Sequence, residues 1–333
     1  MKLLRNVVIV VAVLCVLLFG AVCMLAQTQK PATTIYGMSF SETYAEELGL
    51  DWKAVYEAIL TDLKVKHLRL SAYWPVVEPL RDTYDFTDLD YQIRRAHESD
   101  ADVILAVGRR LPRWPECHIP DWAAAEPWDE KKKDILAYLT AVVERYRNDK
   151  TITYWQVENE PYLTVFAPEQ CGPLDESFLK EEIALVHSLD ASRPVLVSDS
   201  GNLGKWFGAY RSGDAFGTSV YIYFWNPQLG QFRTIIPAWF YRFKQNVLGL
   251  LYGKKEVMLI ELSGEPWLVG PIEDTDLKTQ FSRMDVGKFN EIIAYAQATH
   301  LEKQYLWGAE WWYWLKGKGH PEMWENAQKL FTQ

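Results

Sequence analysis

The stretch WQVENEP, from Trp155 to Pro161, ends an apolar run that begins near Ile152. A strand that finishes in this way presents an amide and a carboxyl group, Asn159 and Glu160, next to each other at its carboxyl end. Pro161 fixes the backbone directly after the pair, because its ring restricts φ. A carboxyl group held at such a position is typical of a catalytic acid.

Strand and helix patterns alternate on both sides of this stretch, from Ile35 to the end of the chain. The segment from Trp52 to Leu63, for example, repeats apolar residues at helical spacing. The predicted strands are IYGMSF, KHLRLS, DVILAVG, TITYWQVE, PVLVSD, AFGTSVYIYF, EVMLIEL and KQYLWGAEW. Eight such strand and helix units in one run predict a single (β/α)8 TIM barrel over residues 35–333, without a second domain.

The N-terminus has a different composition from the rest of the chain. Lys2 and Arg5 are followed by a run without charge from Val7 to Ala26. At this length a cleaved signal peptide and an uncleaved anchor have the same pattern. We therefore expect residues 1–26 to be a signal peptide or a signal anchor, and 27–34 to be a linker. Since positive charge stays inside, the folded part is expected outside the cytoplasm, either secreted or held at the membrane.

Composition excludes some partners and favours others. The formal net charge of -9 opposes binding to phosphate backbones, so no nucleic acid is expected. The chain has 15 Trp and 18 Tyr, whose flat faces stack on sugar rings and also fill cores. Six scattered His without an HExxH motif, and no dinucleotide fingerprint, predict neither a metal nor a cofactor. A monomer with a carbohydrate substrate is the expected form.

Together with LIELSGEPW (residues 259–267) and the βα rhythm, the WQVENEP motif resembles clan A of the glycoside hydrolases. The resemblance implies cleavage of β-glycosidic bonds in oligosaccharides or polysaccharides by a retaining double displacement. It places the acid/base at the end of the fourth strand and the nucleophile at the end of the seventh, which are Glu160 and Glu261 here. A retaining site needs these two carboxyl groups about 5 to 5.5 Å apart.

The same resemblance implies roles for four further residues. Arg69, at the end of the second strand, would hydrogen-bond the nucleophile, and Asn159 would bind the sugar 2-hydroxyl. Tyr223 matches the tyrosine of the sixth strand, which is also a partner of the nucleophile. Many members have His two residues earlier, where this chain has Tyr221. Trp311 is chosen over its neighbours Trp307 and Trp312 as the tryptophan under the sugar.

Several alternatives stay open from the sequence. Glu265 rivals Glu261 as the nucleophile, because both lie in the same loop segment. Trp74, Trp114 and Trp267 are candidates to line sugar subsites, although core packing explains such residues equally well. Cys117 and Cys171 would lie in neighbouring loops of the resembled barrel, as a disulfide or as two free thiols. A transglycosylase with the same pair, or a carbohydrate-binding barrel without catalysis, is also consistent.

Overall fold

A computed structural model of the chain describes residues 6, 20, 22–26, 30–165, 171–226, 228–268 and 270–332. Eight parallel strands close into one barrel, in the order β1-β10-β9-β6-β5-β4-β3-β2, while β7 and β8 form a separate antiparallel hairpin. The barrel confirms the predicted single (β/α)8 architecture. The strands are β1 (Ile35–Ser39), β2 (His67–Ser71), β3 (Asp102–Val107), β4 (Ile152–Val157), β5 (Val195–Asp199), β6 (Ala215–Val220), β7 (Tyr223–Asn226), β8 (Gly230–Arg233), β9 (Val257–Ser263) and β10 (Lys303–Trp307).

Helices surround the barrel, and several begin at an aspartate. The side chains of Asp51, Asp175, Asp276 and Asp285 each accept a backbone N–H of the first turn, which satisfies donors that the helix leaves free. The helices are α1 (Glu42–Glu47), α2 (Trp52–Thr61), α3 (Trp74–Val77), α4 (Thr87–Glu98), α5 (Asp121–Ala124), α6 (Trp128–Tyr146), α7 (Glu176–Leu189), α8 (Phe207–Ser212), α9 (Trp239–Tyr252), α10 (Leu277–Arg283), α11 (Val286–Ala298), α12 (Ala309–Gly317) and α13 (Glu322–Phe331).

Two layers of apolar side chains hold this architecture together. The larger layer lies between the barrel and its helices. The smaller one fills the barrel interior, where strand alternation points every second residue toward the axis. Its members are Ile104, Leu196, Ala215, Met258, Ile260 and Tyr305, with Tyr154 partly buried against them. The barrel is therefore a packed core, and its mouth at the carboxyl ends of the strands is the place for a site.

Strand β9 carries one extra residue relative to both of its neighbours. Leu259 and Leu262 pair with Gln304 and Leu306 of β10, so three steps on β9 match two on β10. A register shift also occurs against β6. Because Ile260 packs inside the barrel, strict alternation would turn Glu261 outward. The extra residue is a β-bulge that instead turns Glu261 toward the mouth.

The structure corrects three predicted element boundaries. The sixth barrel strand ends at Val220, and the residues from Tyr223 onward belong to the hairpin instead of the barrel. The last barrel strand ends at Trp307, and the following residues form α12. The sequence also predicts one helix over about residues 281–299, where the structure has the end of α10 and, after a break, α11. In the first two cases aromatic residues with high strand propensity continue past the end of the strand, so propensity does not mark the boundary.

The predicted signal peptide or anchor and the start of the linker lie largely outside the described residues. Within the described part of the chain, no helix has the length and apolar character needed to cross a membrane.

The barrel interior provides a test of the packing. Leu196 is fully buried in it, whereas Leu250 on α9 is 74% exposed. We expect Leu196→Ala to lower the free energy of unfolding by about 2–5 kcal/mol, through lost burial and the cavity left behind. The matched change Leu250→Ala should alter it by less than about 0.5 kcal/mol. Urea denaturation of both variants measures this difference, and equal losses would contradict the interior packing.

Candidate active site

Glu160 and Glu261 lie at the carboxyl ends of β4 and β9, and both side chains are buried. Directly after β4 the backbone leaves strand geometry, with φ of 58° at Glu158 and 45° at Glu160. Left-handed values at residues other than glycine cost about 1–3 kcal/mol and cluster at functional sites. The Glu158 carboxylate offsets this cost by accepting the backbone N–H groups of Arg109 and Arg110 at 3.0 and 2.8 Å.

Arg69 connects three strands beneath the two glutamates. Its NH1 group donates to Glu261 Oε1 at 2.9 Å, and its NH2 group donates to Asn159 Oδ1 at 2.7 Å. Its Nε donates to Gln156 Oε1 at 2.8 Å. The predicted contact between Arg69 and Glu261 is therefore present. Asn159 Oδ1 is occupied by protein donors, which leaves the amide nitrogen of Asn159 as the group for a ligand hydroxyl.

Glu160 lies in surroundings that favour its protonated form. Burial raises the pKa of Glu160 well above its usual range, and the nearby carboxylate of Glu261 raises it further. Its backbone N–H donates to Ser198 Oγ at 3.0 Å. Glu160 Oε1 is buried and has no hydrogen-bond partner among the described residues. The pair thus combines a carboxyl group that retains its proton with a carboxylate held by an arginine.

The predicted role of Tyr223 is wrong, and Tyr221 makes that contact. The Tyr221 hydroxyl donates to Glu261 Oε2 at 3.1 Å. The Tyr223 hydroxyl instead donates to Glu291 on α11. The cause is the early end of β6, because Tyr221 follows the barrel strand directly whereas Tyr223 begins the hairpin.

The choice of Trp311 is also wrong. Trp311 lies within α12, fully buried, and its Nε1 donates to Gln280 at 2.7 Å. Trp307 ends β10 and is only partly buried, with its ring centroid 6.2 Å from that of Tyr221. Its Nε1 is buried and has no hydrogen-bond partner in the described part of the chain. Of the two, Trp307 and not Trp311 therefore lies at the mouth.

The other three candidate tryptophans have different surroundings. Trp74 is fully buried, donates to Glu78 at 2.7 Å and packs against Trp122, so it is a core residue and cannot line a subsite. Trp267 is 38% exposed, and its ring lies 5.5 Å from that of Tyr221. Trp114 is 65% exposed on the loop after β3. Trp267 lies beside the buried pair, and Trp114 lies on a loop at the mouth.

Glu265 does not share the surroundings of Glu261. Glu265 Oε1 accepts a hydrogen bond from Arg113 at 2.6 Å in a buried ion pair. Burial raises its pKa, while the Arg113 charge opposes that rise. The contacts with Arg69 and Tyr221 belong to Glu261. The two candidates for the nucleophile therefore have different partners: Glu261 is bound by Arg69 and Tyr221, and Glu265 by Arg113.

The loop after β3 brings a further carboxyl group to the mouth. Glu116 forms an ion pair with Arg110 at 3.1 Å, and burial together with the Glu261 carboxylate acts to raise the pKa of Glu116. The next residue, Cys117, forms a disulfide with Cys171, which joins this loop to the one after β4. The choice between a disulfide and free thiols is thus decided. The loop that carries Glu116 is covalently tied to the loop that follows Glu160.

Sequence reasoning missed Gln156 and Ser198 as supports of the site. Gln156 orients both Arg69 and Asn159, and Ser198 Oγ binds Asn159 Oδ1 at 3.2 Å. A signal for both was present, because each is a polar residue within an otherwise apolar strand pattern. A polar side chain inside a packed barrel requires buried partners.

Comparison with known proteins supports the fold. No protein-family model matches the chain. Beta-galactosidase BgaA of Clostridium cellulovorans is 24% identical over 170 residues, which are 46% of this chain and 25% of that protein. The chain therefore spans only part of the curated relative that it matches.

Several solved structures of glycosidases have a similar fold. A beta-galactosidase from Bacillus circulans sp. alkalophilus aligns with a TM-score of 0.61 at 14% identity, over 91% of this chain and 56% of its own. The GH5_18 protein of Bifidobacterium longum gives 0.56 at 15% identity, over 83% and 70%. Xylanase 10B of Thermotoga petrophila, solved with xylobiose, gives 0.52 at 14% identity, over 92% and 99%. The fold is thus a TIM barrel similar to those of these glycosidases, as the sequence predicts.

The raised pKa of Glu160 makes stability depend on pH. An unfolded glutamate loses its proton near pH 4.3, whereas folded Glu160 keeps its proton to higher pH, so stability falls as pH rises through that window. We expect Glu160→Gln, which cannot ionise, to raise Tm by about 2 °C or more at pH 8 and to leave it unchanged at pH 4. Calorimetry at both pH values, with exposed Glu325→Gln as control, measures the effect. A gain of equal size at both pH values would contradict it.

Proposed function

We propose that this protein is a retaining glycoside hydrolase that cleaves β-glycosidic bonds, with Glu160 as acid/base and Glu261 as nucleophile. The observation that carries the proposal is the asymmetry of the pair: Glu160 is held in surroundings that raise its pKa, and Glu261 is held by Arg69 and Tyr221. Two carboxyl groups with different environments are what a double displacement requires. Fold similarity to several glycosidases agrees with this chemistry but does not establish it.

In the first step, Glu160 donates its proton to the glycosidic oxygen while Glu261 attacks the anomeric carbon. The glycosidic bond breaks, the leaving alcohol departs, and an ester to Glu261 forms. Esterification removes the negative charge that raised the pKa of Glu160, so that pKa falls. Glu160 then takes a proton from water, whose oxygen attacks the anomeric carbon and releases Glu261.

The surrounding groups match a ligand with many hydroxyls. Glu160 Oε1 and Trp307 Nε1 are buried without partners within the described residues, and sugar hydroxyls would supply them. Trp267 is partly exposed beside Tyr221, and an aromatic ring at such a position can stack on a pyranose. We propose β-galactosides as the first substrates to test, because the matched curated protein and one solved neighbour are named beta-galactosidases.

We also propose that the barrel works outside the cytoplasm. The disulfide between Cys117 and Cys171 supports this location, since such bonds persist in oxidising compartments. The charge-free run from Val7 to Ala26 agrees with export or anchoring.

Covalent labelling tests the proposed nucleophile. The protein is incubated with a panel of 2-deoxy-2-fluoro β-glycosides, beginning with the galactoside, and its intact mass is measured. We expect one added glycosyl group on the wild type and on Glu265→Ala, and none on Glu261→Ala, because only Glu261 forms the ester.

The same experiment separates the alternatives. Labelling lost only in Glu265→Ala would transfer the nucleophile to that residue. No labelling with any sugar, together with binding to a polysaccharide, would point to a carbohydrate-binding barrel. Added acceptor sugars distinguish a transglycosylase, because the label would leave as a larger saccharide.

The two tyrosines provide a matched pair of variants. We expect Tyr221→Phe to lower kcat/KM about 10- to 100-fold, since a hydrogen bond to a charged group contributes about 1.5–3 kcal/mol. Tyr223→Phe should change it less than about twofold, because its partner Glu291 lies away from the buried pair and its side chain is 42% exposed. Hydrolysis of whichever aryl β-glycoside the wild type cleaves gives both values. A larger loss in Tyr223→Phe would restore the role that the sequence predicted.

A further inference from the structure

Arg113, on the loop after β3, reaches across the mouth of the barrel. Its NH1 group donates to Glu265 at 2.6 Å, and its NH2 group donates to Glu310 at 2.9 Å. Glu265 follows β9, which lies opposite β3 in the ring of strands, and Glu310 lies in α12, which follows β10. A residue from one side of the mouth is thus fixed to residues that follow the strands on the far side.

The path of this loop is marked by further contacts. The Tyr73 hydroxyl, beyond the end of β2, donates to the carbonyl oxygen of Pro112 at 3.0 Å. The guanidinium of Arg113 lies 3.8 Å from the ring centroid of Tyr44, in α1, and 4.8 Å from that of Trp307. From β3 onward, the loop therefore contacts groups that follow β2, β1, β10 and β9. We call residues 112–114, together with these contacts, the Arg113 strap.

The Arg113 strap lies on one side of the mouth. Ser198 in β5, and Glu160 and Tyr221 after β4 and β6, belong to the opposite arc of the barrel. The strap therefore bounds the buried pair on the arc of β1, β2 and β10. A long glycan that extended from this pair toward that arc would meet the strap.

The strap is held too firmly to act as a mobile lid. Glu265 and Glu310 are buried, the Arg113 side chain is only 13% exposed, and a buried charge that loses its partner is strongly destabilising. The Arg113 guanidinium donates one hydrogen bond to each of two carboxylates and also contacts two aromatic rings. These contacts fix the position of the guanidinium further. Movement of the strap away from the mouth would separate the Arg113 charge from the carboxylates of Glu265 and Glu310.

We infer that the Arg113 strap closes one end of the substrate cleft, so that the enzyme removes sugars from chain ends and does not cut inside polymers. This inference rests on the proposed function, since it concerns the substrates of the same site. It assigns the substrate class as short oligosaccharides and the terminal residues of longer chains. Arg113, Tyr44 and Trp307 are then the residues that define specificity for chain ends.

The full-length wild type provides the first test. It is incubated with β-1,4-linked galactan, xylan, mannan and glucan, and with the corresponding pentasaccharides labelled at the reducing end. On the chain that is cleaved, we expect sugar release without an early fall in viscosity, and one initial cleavage site at a constant distance from one end. An early fall in viscosity, or initial cleavage at several internal bonds, would overturn the inference while leaving the proposed function intact.

Variants test whether the strap is the cause. Arg113→Ala combined with Glu265→Gln removes the strap without leaving the Glu265 charge unpaired, and Glu310 keeps its bond to the Ser41 N–H. We expect the ratio of polymer cleavage to aryl-glycoside cleavage to rise about tenfold, a usual factor when a steric limit in a pocket is removed. Arg109→Ala is the matched control, because Arg109 on the same loop points to Cys171 and Trp128.

Each result has a definite meaning. An unchanged ratio in a folded double variant would show that the strap does not limit access. If the double variant does not fold, as judged by circular dichroism, the cleavage pattern of the wild type alone decides. Failure of the wild type to cleave any substrate or to accept any fluoroglycoside label would remove the proposed function, and the inference with it.

Discussion

Arg69, in the middle of β2, is the constraint on which the site depends. A guanidinium inside a packed barrel is stable only if its charge and its donors are satisfied, and Arg69 meets this requirement with oxygens from β4 and β9. The same bonds fix Glu261 and Asn159 relative to each other. The hydrogen bonds that satisfy the buried charge of Arg69 are thus the same bonds that position the candidate catalytic groups. Gln156 and Ser198 complete it by fixing the amide of Asn159.

Two local departures from regular backbone geometry bring Glu160 and Glu261 into their positions at the mouth. The backbone after β4 turns into the left-handed region at Glu158 and Glu160, and Glu158 stabilises the turn through the neighbouring loop. The bulge in β9 brings Glu261 to the mouth. Such departures cost stability, so their presence next to the buried pair agrees with a functional requirement.

The sequence was sufficient for the barrel, for the positions of Glu160 and Glu261 at strand ends and for the Arg69 contact, because apolar strand patterns lead into these residues. The roles of the two glutamates stay predictions. It was insufficient where aromatic residues run past the end of a strand. Tyr223 and Trp311 were misplaced because strand propensity does not distinguish the last barrel residue from a hairpin or from the first turn of a helix. Trp74 was misread because exposure depends on packing partners distant in sequence, here Trp122. The contacts of Arg113 with Glu265 and Glu310 arise only when the barrel closes, so no local sequence pattern predicts them.

The bulge in β9 also has an evolutionary consequence. Because the facing of Glu261 depends on the number of residues in β9, the loss of Ile260 would turn the carboxylate away from the mouth although Glu261 itself remained. A homologue that lost this residue would keep the glutamate and lose the proposed chemistry. In related sequences, the number of residues in β9 is therefore more informative than the identity of any one of them. An alignment that places gaps freely in this strand would hide a change in that number.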